Sequence, residues 1–304
     1  MPPSALLLAL LAAAPAQGAQ SGFSESVSPH FQLYHQSAFG ASGLTLQLER
    51  IHNRLRLDLS MFVPWMAKER VKIYLYSNRN SYVSGEFHPP SWSNGIAFYD
   101  RKLVCTYEQA SKDKLLNILG HELTHLFFES YWGEEHQKPP AWLNEGLAML
   151  EETDPNNAQD SDWYQSMSNL TSGNVIPLKT FLTLSPTRDM KDKNTVALWY
   201  VQAYSVVHFL YRRHSRQQFF NFCSQLRQGK DFHKALWLVY RYPSAERFEA
   251  AWKNWLKLPE TQKQFHKLRE ASAGVDAPSG QSRPALRSSG FSGFTFRSLL
   301  PQDR

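Results

Sequence analysis

At 304 residues, 42% of them hydrophobic and 13% aromatic, the chain has enough apolar content for a sizeable core and too much for a disordered protein. Its 33 Lys and Arg outnumber 27 Asp and Glu to leave a formal charge of +6, but the two signs are interleaved, which fits a solvated basic surface and argues against nucleic acid or a membrane surface as the partner. The only thiols, Cys105 and Cys223, permit at most one disulfide and cannot close a thiolate zinc site; their apolar contexts read as two unpaired buried cysteines.

Ala5 to Ala14 is a short apolar run followed by small residues at Ala14-Pro15-Ala16 and Ala16-Gln17-Gly18, the pattern of a secretory signal over residues 1–18. The run is too short to span a bilayer, and no later stretch reaches about 18 apolar residues. The expectation is an exported protein, periplasmic or extracellular, with no integral membrane segment once the signal is removed. Ser21 to Ser28 is extended, and His30 to His35 alternates as a strand. Leu44, Leu48, Ile51, Leu55 and Leu59 recur at three and four, predicting an amphipathic helix over Ala41 to Met61. Val71 to Tyr76 is a second strand, and Ser77 to Gly85 a polar turn with one short helix. Strand, helix, strand suggests an α/β layer.

Two prolines and Asn94-Gly95 make His88 to Gly95 turn chemistry. Ile96 to Tyr99 and Leu103 to Tyr107 then bracket Asp100-Arg101-Lys102 as a hairpin. A helix is expected from Ser111, whose hydroxyl can cap it, with Asp113 in the first turn and Leu116, Leu119, Leu123, Leu126 and Phe127 as its buried stripe. Tyr131 to Pro140 is a loop in which His136 reads as a solvated histidine. Further on, Val196 to Arg216 is a strong helix with Tyr200, Tyr204, His208 and Tyr211 on one stripe. Gln217 to Leu238, broken near Gly229, and Ser244 to Leu258 are two more amphipathic helices. Beyond about Glu270 the chain has too little apolar content to fold alone, and residues 269–304 are expected to be a disordered tail.

The chemistry concentrates between Leu115 and Glu152. His121-Glu122-Leu123-Thr124-His125 is an H-E-x-x-H block; on a helix its histidines lie about 40° apart around the axis and can reach a single ion. Zinc accepts neutral imidazoles, and the adjacent Glu122 carboxylate can take the proton of a water on the metal. Glu145, in Ala141-Trp142-Leu143-Asn144-Glu145-Gly146, can supply a third ligand and leave one position open, the catalytic arrangement.

These two blocks resemble the gluzincin zinc metallopeptidases, specifically the peptidase MA-like group; the resemblance extends over about Pro29 to Leu258, its specific motifs over about 30 residues. It implies one zinc ion held by His121, His125 and Glu145, Glu122 as general base, and peptide-bond hydrolysis in a peptide or protein substrate. It implies a zincin-like α+β architecture: an N-terminal α/β layer with a small mixed sheet and the active-site helix (19–152), then a mostly helical lobe (153–268). A helix after the glutamate ligand carries a tyrosine facing the metal in this family, and Tyr-Val-Gln-Ala-Tyr resembles that segment; Tyr204 is the choice for oxyanion donor, with Tyr200 and His208 as rivals. Glu152, seven positions after Glu145, resembles a glutamate that in gluzincin aminopeptidases follows the ligand at that spacing, and it can accept the outer N–H of a ligating histidine. Those aminopeptidases also hold the substrate amine with a strand glutamate, whereas Ser93 to Phe98 has no acid, so an endopeptidase is expected. The alternative is a catalytically silent zincin-like binding protein of the cell envelope.

Overall fold

The computed structural model describes residues 22–37, 41, 43–133, 138–153, 161–170 and 173–258. The expected signal peptide, the tail and His136 lie outside these residues. Five strands, β1 (Ser24–Val27), β2 (Phe31–His35), β3 (Val71–Tyr76), β4 (Gly95–Phe98) and β5 (Leu103–Tyr107), form one sheet in the order β1-β2-β3-β5-β4. The inner strands β2, β3 and β5 run parallel, and β1 and β4 close the edges antiparallel. Central parallel strands are covered on both faces, and β3 shows it: Val71, Ile73 and Leu75 enter the main core, while Tyr74 and Tyr76 join Tyr82, Leu103 and Cys105 on the opposite face. Cys105 and Cys223 are both free and buried.

Helix α1 (Leu44–Leu59) buries all five residues of its leucine and isoleucine stripe. It begins three residues later than the periodicity suggests, because Gly43 takes a left-handed conformation (φ 66°) that turns the chain into the helix. After β3 comes the short helix α2 (Arg79–Val83), capped by Asn78, in the stretch where one short helix was expected. Helix α3 (Lys112–Trp132) starts where Ser111 predicts: its side chain accepts from the Lys114 N–H at 3.2 Å, with Asp113 in the first turn. Its core side uses Leu115 with Leu119, Leu123, Leu126 and Phe127; Leu116 is only half-buried.

Helix α4 (Ala141–Glu152) carries the second motif and packs against both α3 and a long helix from the second half of the chain. The short helices α5 (Asp162–Ser168), α6 (Leu178–Phe181) and α7 (Pro186–Asp189) lead to that long helix, α8 (Lys193–Arg212). Asp192 caps α8 by accepting from Thr195 N–H at 2.7 Å, and Ser215 opens the next helix with a capping box, so the break falls before Arg216 rather than after it. Helices α9 (Arg216–Arg227) and α10 (Phe232–Tyr240) are separated at Gly229, φ 81°, as expected, and α11 (Ala245–Lys257) closes the described chain. The result is the α+β architecture read from the sequence, a small mixed sheet followed by helices.

Two contacts fix α4. At Gly146 a side-chain Cβ would stand 2.5 Å from the Ala203 carbonyl oxygen and from Val207 Cγ2, so only glycine lets α4 and α8 approach this closely. At its end, Glu151 is fully buried and pairs with Arg212 at 3.3 Å; Arg212 also meets Asp58 of α1 at 3.3 Å, and Arg54 donates to the Glu151 and Thr153 carbonyls. Removing one member of such a buried network strands the rest, at a cost of about 3–5 kcal/mol. No helix among the described residues is long and apolar enough to cross a membrane.

Candidate metal centre

The face of α3 beside its core stripe carries Ile118, His121, Glu122, His125 and Glu129 at spacings of three, one, three and four, and all five line one cleft of about 240 Å³. The facing wall is the segment entering β4, from Trp92 to Ala97, and the remaining sides are Glu145 and Glu152 of α4 and Tyr200 of α8. Nε2 of His121 and Nε2 of His125 are 3.0 Å apart, and Glu145 Oε2 lies 3.9 Å from the first and 3.8 Å from the second. Donors bound tetrahedrally to zinc at about 2.05 Å stand about 3.3 Å from one another, so this triangle brackets what one ion needs. Two imidazole nitrogens and a carboxylate oxygen this close together need a shared proton or a cation among them. The residues therefore fit a divalent ion.

Electrostatics point the same way. Burial opposes a charge on His121, but the adjacent Glu152 carboxylate, then the charges of Glu122 and Glu145, overcome it and push its pKa up to about 9. A site that holds a proton this strongly is short of positive charge. Glu152 Oε2 faces His121 Nδ1 at 3.6 Å and accepts from the Trp163 indole N–H at 2.9 Å, which aims His121 Nε2 at the centre.

Glu122 is not part of the donor triangle. Burial raises its carboxyl above the usual range; His121 and His125 pull it down, Glu145 and Glu129 push it up, and the net shift is upward. A more basic carboxylate is a better proton acceptor. Its position is set by Gly95, where a Cβ would come within 2.7 Å of Glu122 Cγ.

The structure brings together His121, Glu122, His125, Glu145 and Glu152, and of the three candidates on α8 it puts Tyr200, rather than the preferred Tyr204, on the cleft wall. Tyr200 lines the cleft and feels the charge of Glu145. Tyr204, one helical turn further along α8, is 2% exposed and hydrogen-bonds Ser161, near Tyr164, Arg212 and Glu151. His208, another turn on, is packed against the rings of Tyr204 and Trp255. The two rise away from the cleft because α5 and its cap at Ser161 cover that part of α8.

Glu129 went unrecognised in the sequence although its spacing, four after His125 and seven after Glu122, was the available signal. Its Oε1 accepts from the Asn144 amide at 2.8 Å, which ties the cleft end of α3 to the residue before Glu145. Trp163 carried no sequence signal for its hold on Glu152.

A family model for the Peptidase MA superfamily matches residues 59–258, about two-thirds of the chain, including both motif helices and Tyr200. No curated protein matches the sequence significantly.

Proposed function

The chain belongs to the peptidase MA superfamily, and from that membership we propose that it is an exported zinc metallopeptidase acting as an endopeptidase on peptide or protein substrates. The observation that carries this reading is the donor triangle of His121, His125 and Glu145 at the floor of a cleft, with the raised carboxyl of Glu122 beside it. Two neutral imidazoles and one carboxylate suit zinc better than magnesium or calcium, which take all-oxygen sites. Zinc held there would acidify water and polarise a carbonyl oxygen.

The chain's own residues do the rest. Glu122 takes the proton of the attacking water and delivers it to the leaving amine. The Tyr200 hydroxyl, kept protonated by burial and by the charge of Glu145, donates to the oxyanion that develops as the carbonyl is attacked. Among the described residues strand β4 pairs with β5 on one side only, which leaves its other edge to bind an extended substrate backbone along Gly95–Phe98. Trp92, Ile96 and Ile118 give the cleft apolar surface for substrate side chains.

The endopeptidase reading rests on the acid-free β4 edge, since an ammonium seated along it would find no carboxylate from that strand to pair with. Glu129 is the cleft acid that would serve an aminopeptidase. One peptide with a free and an acetylated N-terminus separates the two activities: an endopeptidase cuts both, whereas removal of single N-terminal residues, abolished by acetylation, overturns this part. For the mechanism, Glu122→Gln is expected to keep the parent's zinc content and lose most turnover on an internally quenched peptide. Retained turnover would remove Glu122 from the chemistry. Export rests on residues 1–18 and is tested by whether the chain purified from its native source begins near Ala19.

A further inference from the structure

A second set of metal-type donors converges away from the cleft, where the connection from β1 to β2 meets α1. His30 directly precedes β2, and Glu49 and His52 lie three positions apart on α1, on one face. Nδ1 of His30 donates to Glu49 Oε2 at 2.7 Å. The other carboxylate oxygen accepts from the Ser28 hydroxyl at 2.7 Å and from the His30 backbone N–H at 2.9 Å, so Glu49 is fixed from three directions. The rings of His30 and His52 stack, centroids 3.8 Å apart and planes 16° apart.

His52 supplies the decisive observation. Its Nε2 lies 2.8 Å from the Met66 carbonyl oxygen, which can only accept, so Nε2 carries the proton and Nδ1 presents a lone pair. That Nδ1 is buried with no hydrogen-bond partner, in a residue 1% exposed. Buried acceptors left unpaired are uncommon in native cores. One donor atom from each of His30, Glu49 and His52 lies within 4.8 Å of the others.

We propose that His30, Glu49 and His52 form a second metal site, separate from the cleft, that takes a divalent transition ion such as zinc. Two imidazoles and one carboxylate are a donor set for zinc, cobalt, nickel or copper, and too rich in nitrogen for calcium or magnesium. Two of the three ligands, His52 and Glu49, stand in the protonation states an ion needs. Burial keeps His52 neutral against the pull of the Met66 hydrogen bond, with the charges of His30 and Arg56 adding to burial and that of Glu49 opposing it. Burial opposes ionisation of Glu49, but its hydrogen bonds to His30 and Ser28 outweigh burial and hold its carboxyl below the usual range.

Binding at Nδ1 displaces the proton that His30 shares with Glu49, and a neutral ring keeps that proton on its other nitrogen, so His30 meets the ion as its other tautomer. His30 must also turn out of its stack, so that its in-plane lone pair and that of His52 meet at one point; its side chain is 26% exposed, which gives room for the turn and a path for the ion. The ion would fasten the β1–β2 connection to α1. Its task is structural.

The test counts zinc per chain by mass spectrometry after equilibration with micromolar zinc chloride, in the parent, in His30→Ala, and in the double variant His121→Ala/His125→Ala. Two ions are expected in the parent and one in each variant, with peptidase activity kept in His30→Ala. Zinc should also raise the melting temperature of the double variant, and the rise should vanish when His30→Ala is added. This second readout does not require activity, and the partly exposed His30 avoids the folding risk of changing His52. A parent with one ion, lost in the double variant, overturns the proposal and leaves the cluster as a hydrogen-bonded clasp. Two ions undiminished by His30→Ala overturn it as well. One ion kept in the double variant and lost in His30→Ala supports this site and removes the cleft site instead, so the two readings fail separately.

Discussion

A methyl group added at Gly95 would stand 2.7 Å from Cγ, 2.9 Å from Oε1 and 3.0 Å from Cδ of Glu122. To regain ordinary contact the Glu122 side chain must retreat by about 0.7 Å. What it meets is side chain rather than backbone, and Gly95 has no positive φ, so Gly95→Ala should cost about 1 kcal/mol of stability, the low end for overpacking. Function should suffer more, because a general base displaced by most of an ångström no longer meets the water proton in line, and misplacements of this size cost about 10–100-fold. The assay is kcat and KM on an internally quenched peptide, with zinc content and melting temperature taken on the same sample. Zinc and melting temperature should stay near the parent's while kcat falls. In a Glu122→Gln background the same methyl should cost almost nothing further, since the group it displaces is already disabled. A Gly95→Ala protein with kcat within twofold of the parent would refute the reasoning, and so would a full multiplicative loss in the double variant.

Tyr200→Phe should lower kcat by about 100-fold with zinc retained, the loss typical of one oxyanion donor, whereas Tyr204→Phe should leave kcat near the parent's and cost about 1 kcal/mol of stability through its bond to Ser161; the reverse ranking would return Tyr204 to the chemistry. Glu145→Ala should weaken zinc binding at the cleft by more than about 100-fold as well as abolish turnover, and equal affinity measured by competition with a chelator would name another acid as the ligand. Glu152→Gln should weaken the cleft ion by about 10–100-fold, because His121 loses the charge that orients it, and a variant with the parent's affinity would leave Glu152 as a partner of Trp163 alone. Burial, with Arg212 adding to it, pushes His208 down to about 3 from its ordinary 6.5; the folded state holds it neutral, so its contribution is fully present above about pH 6.5 and is lost as pH falls toward about 3, with an upper limit of about 4–5 kcal/mol. Urea unfolding of His208→Leu across that window should show a shallower acid decline than the parent, and identical slopes would refute the assignment.

How far the sequence could be read depended on whether a contact was local. The stripe of α1, the Ser111 cap of α3 and the break at Gly229 follow from residues within one or two turns of each other, and the structure has all three. The donor triangle was legible because the spacing of His121 and His125 is a property of one helix, and Glu145 opens the next. The tyrosine was not. Tyr200, Tyr204 and His208 share one face of α8, and which of them stands level with the cleft is decided by where α8 crosses α4. That crossing is set by Gly146 against the Ala203 carbonyl, a contact between residues 57 positions apart. The network of Asp58, Glu151 and Arg212 was hidden for the same reason: each reads alone as a surface charge, and only their meeting buries them.

The approach of α4 to α8 at Gly146 bears on how relatives of this chain can be recognised. In Trp142-Leu143-Asn144-Glu145-Gly146 each position answers to a different physical demand: Trp142 fills the core between Phe181 and Phe232, Leu143 is fully buried, Asn144 holds Glu129, Glu145 faces the histidines, and Gly146 admits the neighbouring backbone. Five unrelated demands on five consecutive residues make coincidental matches rarer than for H-E-x-x-H, in which two positions are unspecified. A distant homologue that has drifted everywhere else should therefore be more reliably found by this pentapeptide, and a homologue that keeps the histidines but places a larger residue at the glycine should have parted its two helices and, with them, its ligand from its tyrosine.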